Sequence, residues 1–199
     1  MKGFVKTIIG SAIVFCLVSH PVSGISGSFK DNIYNPGELK PIDSELKVKV
    51  GDQAPDFTLP SVSGREISLS RFRGKKNVII SFVPAAWTPV CSDQWPGYNI
   101  TKDLFDRNDA ALIGITVDNL PTLYAWTKQM GRLWFPVLSD FWPHGAVALK
   151  YGVLRSDGVT ERALFIIDKK GAIRAIHVSD INIRPDLEYI AAELEKVNR

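Results

Sequence analysis

The distribution of apolar and polar residues along the chain predicts a small domain of alternating strands and helices. Residues 77–83 and 111–117 are almost continuously apolar. Such runs are typical of strands that are buried on both faces of a sheet. Residues 186–197 place apolar side chains on one helical face, and residues 120–130 predict a helix that ends before Gly131. The pattern therefore indicates an α/β fold whose sheet is covered by helices.

Shorter patterns predict two hairpins at the ends of this domain. Residues 56–59 and 66–69 flank a turn and predict an N-terminal β-hairpin. Residues 162–168 and 172–178 flank Lys169-Lys-Gly171 and predict a second hairpin. Two further elements are predicted: a strand at residues 135–138 and a helix at residues 143–151.

The N-terminus has the pattern of a secretory signal peptide. Lys2 and Lys6 precede a mostly apolar run at residues 7–18, and small residues follow at 21–24. The run is shorter than the roughly 20 residues that cross a bilayer, so we expect cleavage and export to the periplasm or medium, with an uncleaved anchor as the alternative. The predicted units are a signal peptide at residues 1–24, an extended lead-in at 25–46 and one folded domain at 47–199.

Composition and charge argue against nucleic acid, a metal ion or a cofactor as a partner. The 199 residues include 24 basic and 21 acidic side chains, without a dense basic run interleaved with aromatic residues. We therefore predict no nucleic-acid binding. His144 and His177 are isolated, which argues against a metal site, and no pattern indicates a cofactor.

The cysteines carry the candidate chemistry. The chain has 2 cysteines, Cys16 inside the expected signal peptide and Cys91 shortly after a predicted buried strand. Removal of the signal peptide would leave Cys91 alone. A single cysteine in an exported protein suggests a reactive thiol or an intermolecular disulfide. A small buried apolar residue is the alternative interpretation.

The residues before Cys91 predict the start of a helix. Thr88 suits the N-cap and Pro89 the first helical position, which puts Cys91 at the third position. The backbone N–H groups of that first turn lack partners inside the helix, and the helix dipole favours an anion there. A thiol at this position is therefore placed to ionise and to react as a nucleophile.

The motif Pro84-x-x-x-Thr88-x-x-Cys91, together with Arg162 in a later strand, resembles the active-site motif of the peroxiredoxins. These thiol peroxidases form the alkyl hydroperoxide reductase and thiol-specific antioxidant superfamily. The resemblance extends over roughly residues 47–198. It implies a thioredoxin-like fold, with a central mixed β-sheet flanked by helices and an N-terminal β-hairpin.

Residues 139–152 resemble the one-cysteine, AhpE-like subgroup in particular. The resemblance implies that Cys91 attacks a peroxide and becomes a sulfenic acid. It implies that Thr88 hydrogen-bonds the peroxide, that Arg162 stabilises the thiolate and the transition state, and that Pro84 shields the thiolate from water. Without the motif, Thr88 is equally well a helix cap, and Arg162 is better read as a surface partner of Glu161 or Asp157.

The expected cycle needs a partner, because the chain without its signal peptide has no second cysteine to resolve the sulfenic acid. We expect an external thiol or redoxin as reductant, hydrogen peroxide and small organic hydroperoxides as substrates, and a homodimer. The alternative is an exported redox sensor or binding protein that forms mixed disulfides through Cys91. One feature departs from the family pattern: Pro96 predicts that the Cys91 helix is very short or kinks near Trp95.

Overall fold

A five-stranded mixed sheet forms the centre of the protein, of which a computed structural model describes residues 28–198. The signal peptide expected at residues 1–24 lies outside the described residues. The strands are β1 (Thr58–Pro60), β2 (Glu66–Ser68), β3 (Asn77–Phe82), β4 (Ala110–Thr116), β5 (Val137–Ser139), β6 (Arg162–Ile167) and β7 (Ile173–Ser179). The helices are α1 (Pro89–Ile100), α2 (Lys102–Arg107), α3 (Leu120–Gln129), α4 (Ala146–Tyr151) and α5 (Leu187–Val197).

The sheet has the strand order β5-β4-β3-β6-β7. Strands β3, β4 and β5 are parallel to one another, whereas β6 is antiparallel to both β3 and β7. Strands β1 and β2 form a separate antiparallel pair. The predicted mixed sheet and both predicted hairpins are therefore confirmed.

Both faces of the sheet are covered, which explains the continuous apolar runs of the sequence. All six residues of β3 are buried. One face packs against α1, α2, α3 and α5, whose buried side chains join a single core cluster. The opposite face packs against the β1–β2 hairpin and α4. A strand with helices or a hairpin on both sides has no solvent face, so its residues need not alternate.

Helix α1, which carries Cys91, was predicted either to be very short or to kink near Trp95, and it is not short. It spans 12 residues and continues through Pro96, so the prediction of a very short helix is wrong. Trp95 lies fully buried against β4, where Gly114 provides the space. A Cβ atom at Gly114 would lie 2.7 Å from the Trp95 ring. The missing side chain at Gly114 therefore allows α1, and with it Cys91, to pack close to the sheet.

The start of helix α4 and the structure of the lead-in differ from the prediction. Helix α4 begins at Ala146 rather than at residue 143, after Gly145 in the left-handed region with φ 62°. The lead-in contains a 3-10 turn at Phe29–Asn32, and several hydrogen bonds attach it to the domain. In the part of the chain that the structure describes, no helix is long and apolar enough to span a bilayer.

Candidate active site

Cys91 lies in the first turn of α1, at the third helical position that the sequence predicts. Helix α1 starts at Pro89, and its first backbone hydrogen bond runs from the Ser92 N–H to the Thr88 carbonyl at 3.0 Å. The N–H groups of Val90 and Cys91 therefore precede the hydrogen-bonded ladder of the helix. The thiol has no solvent exposure. Helix position and burial together give the sulfur a dry environment at the positive end of a helix dipole.

Arg162, at the start of β6, brings its guanidinium to this thiol. Its Nη2 lies 3.5 Å from the Cys91 sulfur. The same nitrogen and Nε donate to the Ile181 carbonyl at 2.8 Å and 3.0 Å. Only 2% of Arg162 is exposed, so it is not the surface ion-pairing residue of the alternative interpretation. The predicted pair of Cys91 and Arg162 is thus brought together at the sheet.

The charge of Arg162 has no carboxylate partner among residues 28–198. Glu161 and Asp157, the two acids considered from the sequence, both pair with Arg155 instead, at 2.9 Å and 3.4 Å. A buried cation needs an anion or strong hydrogen-bond acceptors nearby. The Cys91 sulfur, the Gln94 amide oxygen and the Ile181 carbonyl are the acceptors that surround this cation, and the sulfur is the only one of the three that can carry a negative charge.

Gln94 is a member of this site that the sequence did not single out. Its Oε1 accepts a hydrogen bond of 2.6 Å from Arg162 Nη1. Its Nε2 donates to the Ser81 hydroxyl and to the Tyr98 hydroxyl at 3.1 Å and 2.9 Å. Burial raises the pKa of Tyr98 to about 12, so this phenol stays neutral at neutral pH. Gln94 therefore links the guanidinium to a neutral buried network that holds its position.

Thr88 occupies the predicted N-cap position but does not cap the helix with its side chain. Its hydroxyl instead donates to the Ala85 carbonyl at 2.9 Å. A hydroxyl has one proton and two lone pairs. With its proton directed at Ala85, Thr88 can accept a hydrogen bond from a peroxide O–H group. The prediction that Thr88 contacts the peroxide stays a prediction, and the geometry makes Thr88 the acceptor in that contact.

A cleft of about 870 Å³ gives access to the site. Pro84, Thr88 and Arg162 line it, whereas Cys91 lies behind this floor without solvent exposure. Pro84 is itself buried, two residues after the end of β3. The wall opposite is formed by residues 34–39 of the lead-in. Three of the four predicted residues thus line one cleft, and the fourth, Cys91, is buried next to Arg162. The shielding role of Pro84 stays a prediction.

The loop between β3 and α1 is fixed by a carboxylate that sequence reasoning missed. Asp118 accepts the Ala86 N–H at 2.8 Å and a short hydrogen bond from the Thr116 hydroxyl. Trp87, next in the loop, has φ 61°, a value that non-glycine residues rarely adopt. Such a conformation persists only where its surroundings enforce it. The Asp118 carboxylate therefore helps to hold the loop that carries Thr88 in this conformation.

The other candidates of the sequence lie outside this cleft. His144 contacts the Gly158 carbonyl at 2.7 Å, and His177 packs against the Tyr189 ring. Among the described residues, no group of three or more acidic, histidine or cysteine side chains could hold a metal ion. Trp95 is part of the core, whereas Trp142 is 83% exposed.

Comparison with known proteins gives a consistent result. Residues 50–176 match the AhpC/TSA family. The chain is 40% identical over 128 residues to alkyl hydroperoxide reductase E of Mycobacterium tuberculosis, which covers 64% of this chain and 83% of that protein. It is 36% identical over 151 residues to peroxiredoxin-1 of Gallus gallus, which covers 70% of this chain and 74% of that protein.

Comparison with a solved structure shows that the fold is that of a peroxiredoxin. The reduced 2-Cys peroxiredoxin of Plasmodium vivax superposes with a TM-score of 0.69 at 28% identity. The superposition covers 74% of this chain and 81% of that one. The thioredoxin-like fold expected from the resemblance is thereby confirmed.

Proposed function

Because the chain belongs to the AhpC/TSA family, and is therefore a peroxiredoxin that reduces peroxides with thiols, we propose that Cys91 is its peroxidatic nucleophile. The observation that carries this assignment is the 3.5 Å contact between Arg162 Nη2 and the Cys91 sulfur. It joins a thiol in the first turn of a helix to a buried guanidinium that has no carboxylate partner among the described residues.

The proposed reaction is a displacement at oxygen. The Cys91 thiolate attacks the terminal peroxide oxygen, an S–O bond forms, and the O–O bond breaks. The leaving oxygen takes up a proton and departs as water or an alcohol. The sulfur is oxidised to a sulfenic acid and the peroxide is reduced.

Ionisation of the thiol supplies only part of the expected rate. An ordinary thiol is already a few per cent ionised at neutral pH, so complete ionisation gains about 30-fold at most. The remainder must come from groups that stabilise the charge developing on the departing oxygen. Arg162 is a fixed cation at this point, and Thr88 offers an acceptor that orients the peroxide O–H.

The dimensions of the cleft support two sizes of substrate. Its volume of about 870 Å³ is in the range that accommodates drug-sized ligands, far larger than hydrogen peroxide. Its lining includes apolar side chains such as Leu39, Ala86 and Val159. We therefore propose both hydrogen peroxide and small organic hydroperoxides as substrates.

The cycle is proposed to be of the one-cysteine type. Cys91 is the only cysteine after residue 16. An external thiol would attack the sulfenic sulfur and release water, and a second thiol would cleave the mixed disulfide and regenerate the Cys91 thiolate. The complete burial of Cys91 favours a low-molecular-weight thiol as the first attacking group over the surface of a redoxin.

Two further proposals concern the setting of the enzyme. Export remains a proposal that rests on residues 1–24, and the N-terminal sequence of the protein isolated from its source would test it.

A homodimer is proposed as well. Phe141 and Trp142, which are 48% and 83% exposed, offer an apolar surface for a second copy. Replacement of Trp142 by serine should weaken self-association in sedimentation experiments.

Rapid mixing with hydrogen peroxide followed by intact mass measurement tests the proposed nucleophile. We expect fast, stoichiometric addition of one oxygen to the protein and none to the Cys91→Ser variant. A reaction as slow as that of free cysteine would contradict the peroxidase assignment for Cys91. It would leave the mixed-disulfide chemistry of a redox sensor as the better account of this thiol.

A further inference from the structure

The lead-in contacts both halves of the thiolate site, although it precedes the part of the chain that matches the family. That match begins at residue 50. Residues 34–39 line the cleft, and residues 29–43 form hydrogen bonds to the loop before Cys91 and to the segment that supports Arg162. A segment attached at both places can influence the relative position of the two groups.

On the thiol side, the contact is with Trp87. The Tyr34 N–H donates to the Trp87 carbonyl at 2.7 Å. The Phe29 ring packs edge-on against the Trp87 ring, with centroids 5.9 Å apart. Trp87 has the rarely adopted φ of 61° and immediately precedes Thr88. The lead-in thus stabilises the backbone conformation from which α1 starts.

On the arginine side, the contact is with Ile181. Its N–H donates to the Pro41 carbonyl at 3.1 Å, and its own carbonyl accepts both hydrogen bonds from Arg162. The next residue, Asn182, accepts the Leu39 N–H at 3.0 Å and donates to the Leu39 carbonyl at 2.9 Å. The carbonyl that holds the guanidinium is therefore fixed by the lead-in.

A buried ion pair anchors the same segment. Arg155 and Glu161 lie 2.9 Å apart, with side chains that are 2% and 0% exposed. The Asp43 N–H donates to Glu161 at 2.6 Å, and Arg155 donates to the Lys40 carbonyl at 3.0 Å. Buried charged groups are costly to leave without partners. Backbone groups of the lead-in supply further partners to this ion pair. Because Glu161 directly precedes Arg162, the same contacts anchor the start of the strand that carries Arg162.

We propose that residues 29–43 are a positioning element of the thiolate site. They hold the Trp87 loop and the Ile181 carbonyl in a fixed relation, and so set the separation between the Arg162 guanidinium and the Cys91 sulfur. Their residues 34–39 also form the outer wall of the cleft that a hydroperoxide must enter. The proposal rests on the proposed function of Cys91.

The lead-in can affect the reaction rate because the contact between Arg162 and the Cys91 sulfur is sensitive to distance. Nη2 and sulfur are already 3.5 Å apart, and charge stabilisation in a buried site falls as that distance grows. Misplacement of a reacting group by about 1 Å can cost about 100-fold in rate. A segment that prevents even part of such a displacement affects the reaction without touching the reacting atoms.

The test replaces one anchor at each end in the full-length chain. Asn182→Ala removes both hydrogen bonds to Leu39, and Phe29→Ala removes the packing on Trp87. Neither residue contacts Cys91 or Arg162 in the described hydrogen bonds. Asn198→Ala is the matched control, because Asn198 likewise forms amide hydrogen bonds to another segment, at Asn108.

Two readouts are measured: the rate constant with hydrogen peroxide, and the rate constant of Cys91 alkylation by iodoacetamide at one pH. We expect Phe29→Ala and Asn182→Ala to react roughly tenfold more slowly with hydrogen peroxide and more slowly with iodoacetamide, and Asn198→Ala to match the unmodified protein in both reactions. Phe29→Ala and Asn182→Ala proteins that lose thermal stability but keep both rates would overturn the positioning role. An unmodified protein that reacts no faster than free cysteine would overturn the proposed function itself, which distinguishes the two failures.

Discussion

Gln94 accepts a hydrogen bond of 2.6 Å from Nη1 of Arg162, one helical turn after the cysteine that the same guanidinium contacts. The guanidinium is therefore held between the amide oxygen of Gln94, the Ile181 carbonyl and the Cys91 sulfur. The amide oxygen and the backbone carbonyl are neutral acceptors. The arrangement fixes the cation without cancelling its charge, which leaves that charge available for the proposed thiolate and transition state.

Replacement of Gln94 by leucine should slow the reaction with hydrogen peroxide by about 10- to 100-fold. Hydrogen bonds to charged groups contribute about 1.5–3 kcal/mol, and their loss leaves Nη1 of Arg162 without a partner. Stopped-flow measurement of the Cys91 oxidation rate checks this. Gln129→Leu, at an exposed position of α3, is the control and should keep the original rate. A Gln94 variant with normal rate and a lower melting temperature would mean that Gln94 only stabilises the fold.

Replacement of Thr88 by valine should lower the rate roughly five- to tenfold, the loss expected for one neutral hydrogen bond. Valine has nearly the same shape but offers no acceptor to the peroxide O–H. Thr88→Ser keeps the hydroxyl that donates to Ala85 and should stay close to the original rate. Equal rates for the valine and serine variants would show that the hydroxyl does not contact the peroxide.

Replacement of Val159 by tryptophan should make the enzyme selective for small peroxides. Val159 lines the cleft, so a larger side chain there reduces the space for an organic group. We expect the rate with cumene hydroperoxide to fall at least about tenfold, while the rate with hydrogen peroxide changes little. Val50→Trp, at a position that is 58% exposed, controls for the added side chain. An equal fall with both peroxides would contradict the proposed route of entry.

Stability should decrease as the pH falls, in part because of His177. Burial lowers the pKa of His177 below its ordinary value of 6.5. Below about pH 6.5 the unfolded chain therefore binds a proton that the folded protein takes up only at lower pH, and the free energy of unfolding decreases. Urea unfolding at about pH 7.5 and about pH 5.5 should show a smaller loss for His177→Phe than for the unmodified protein. The same loss in both proteins would mean that other groups cause the pH dependence.

The strands and the position of the cysteine could be predicted because local physics specifies them. Strand β3 is an almost continuously apolar run, and Thr88 and Pro89 define a helix start, so the third helical position of Cys91 follows directly. Residues 162–168 and 172–178 flank a turn, and β6 and β7 pair across it as predicted.

The parts of the site that were missed depend on tertiary contacts. Gln94 stands between Cys91 and Pro96, where the proline suggested an interrupted helix and so obscured the role of its neighbours. The acceptor at Ile181 is a backbone carbonyl, and no side chain marks it in the sequence. Asp118 has a visible signal, an acid directly after a buried strand, but its partner at Ala86 is 32 residues away.

The lead-in was predicted as an extended segment, and the structure shows a 3-10 turn in it at Phe29–Asn32. Its polar composition gave no reason to expect close association with the domain. The hydrogen bonds to Trp87, Ile181 and Asn182 join backbone groups or an amide over long sequence separations. Only the folded chain brings these groups together.

The rate constant for oxidation of Cys91 by hydrogen peroxide, compared between the unmodified protein and Arg162→Ala, tests the central claim most directly. We predict a loss of about 100- to 1000-fold, since a fixed donor to the developing charge is removed. Arg162→Lys should be intermediate, because lysine keeps the charge but loses the planar fork that also contacts Gln94 and Ile181. An Arg162→Ala protein that reacts as fast as the unmodified one would contradict the assignment of Arg162 to the reaction.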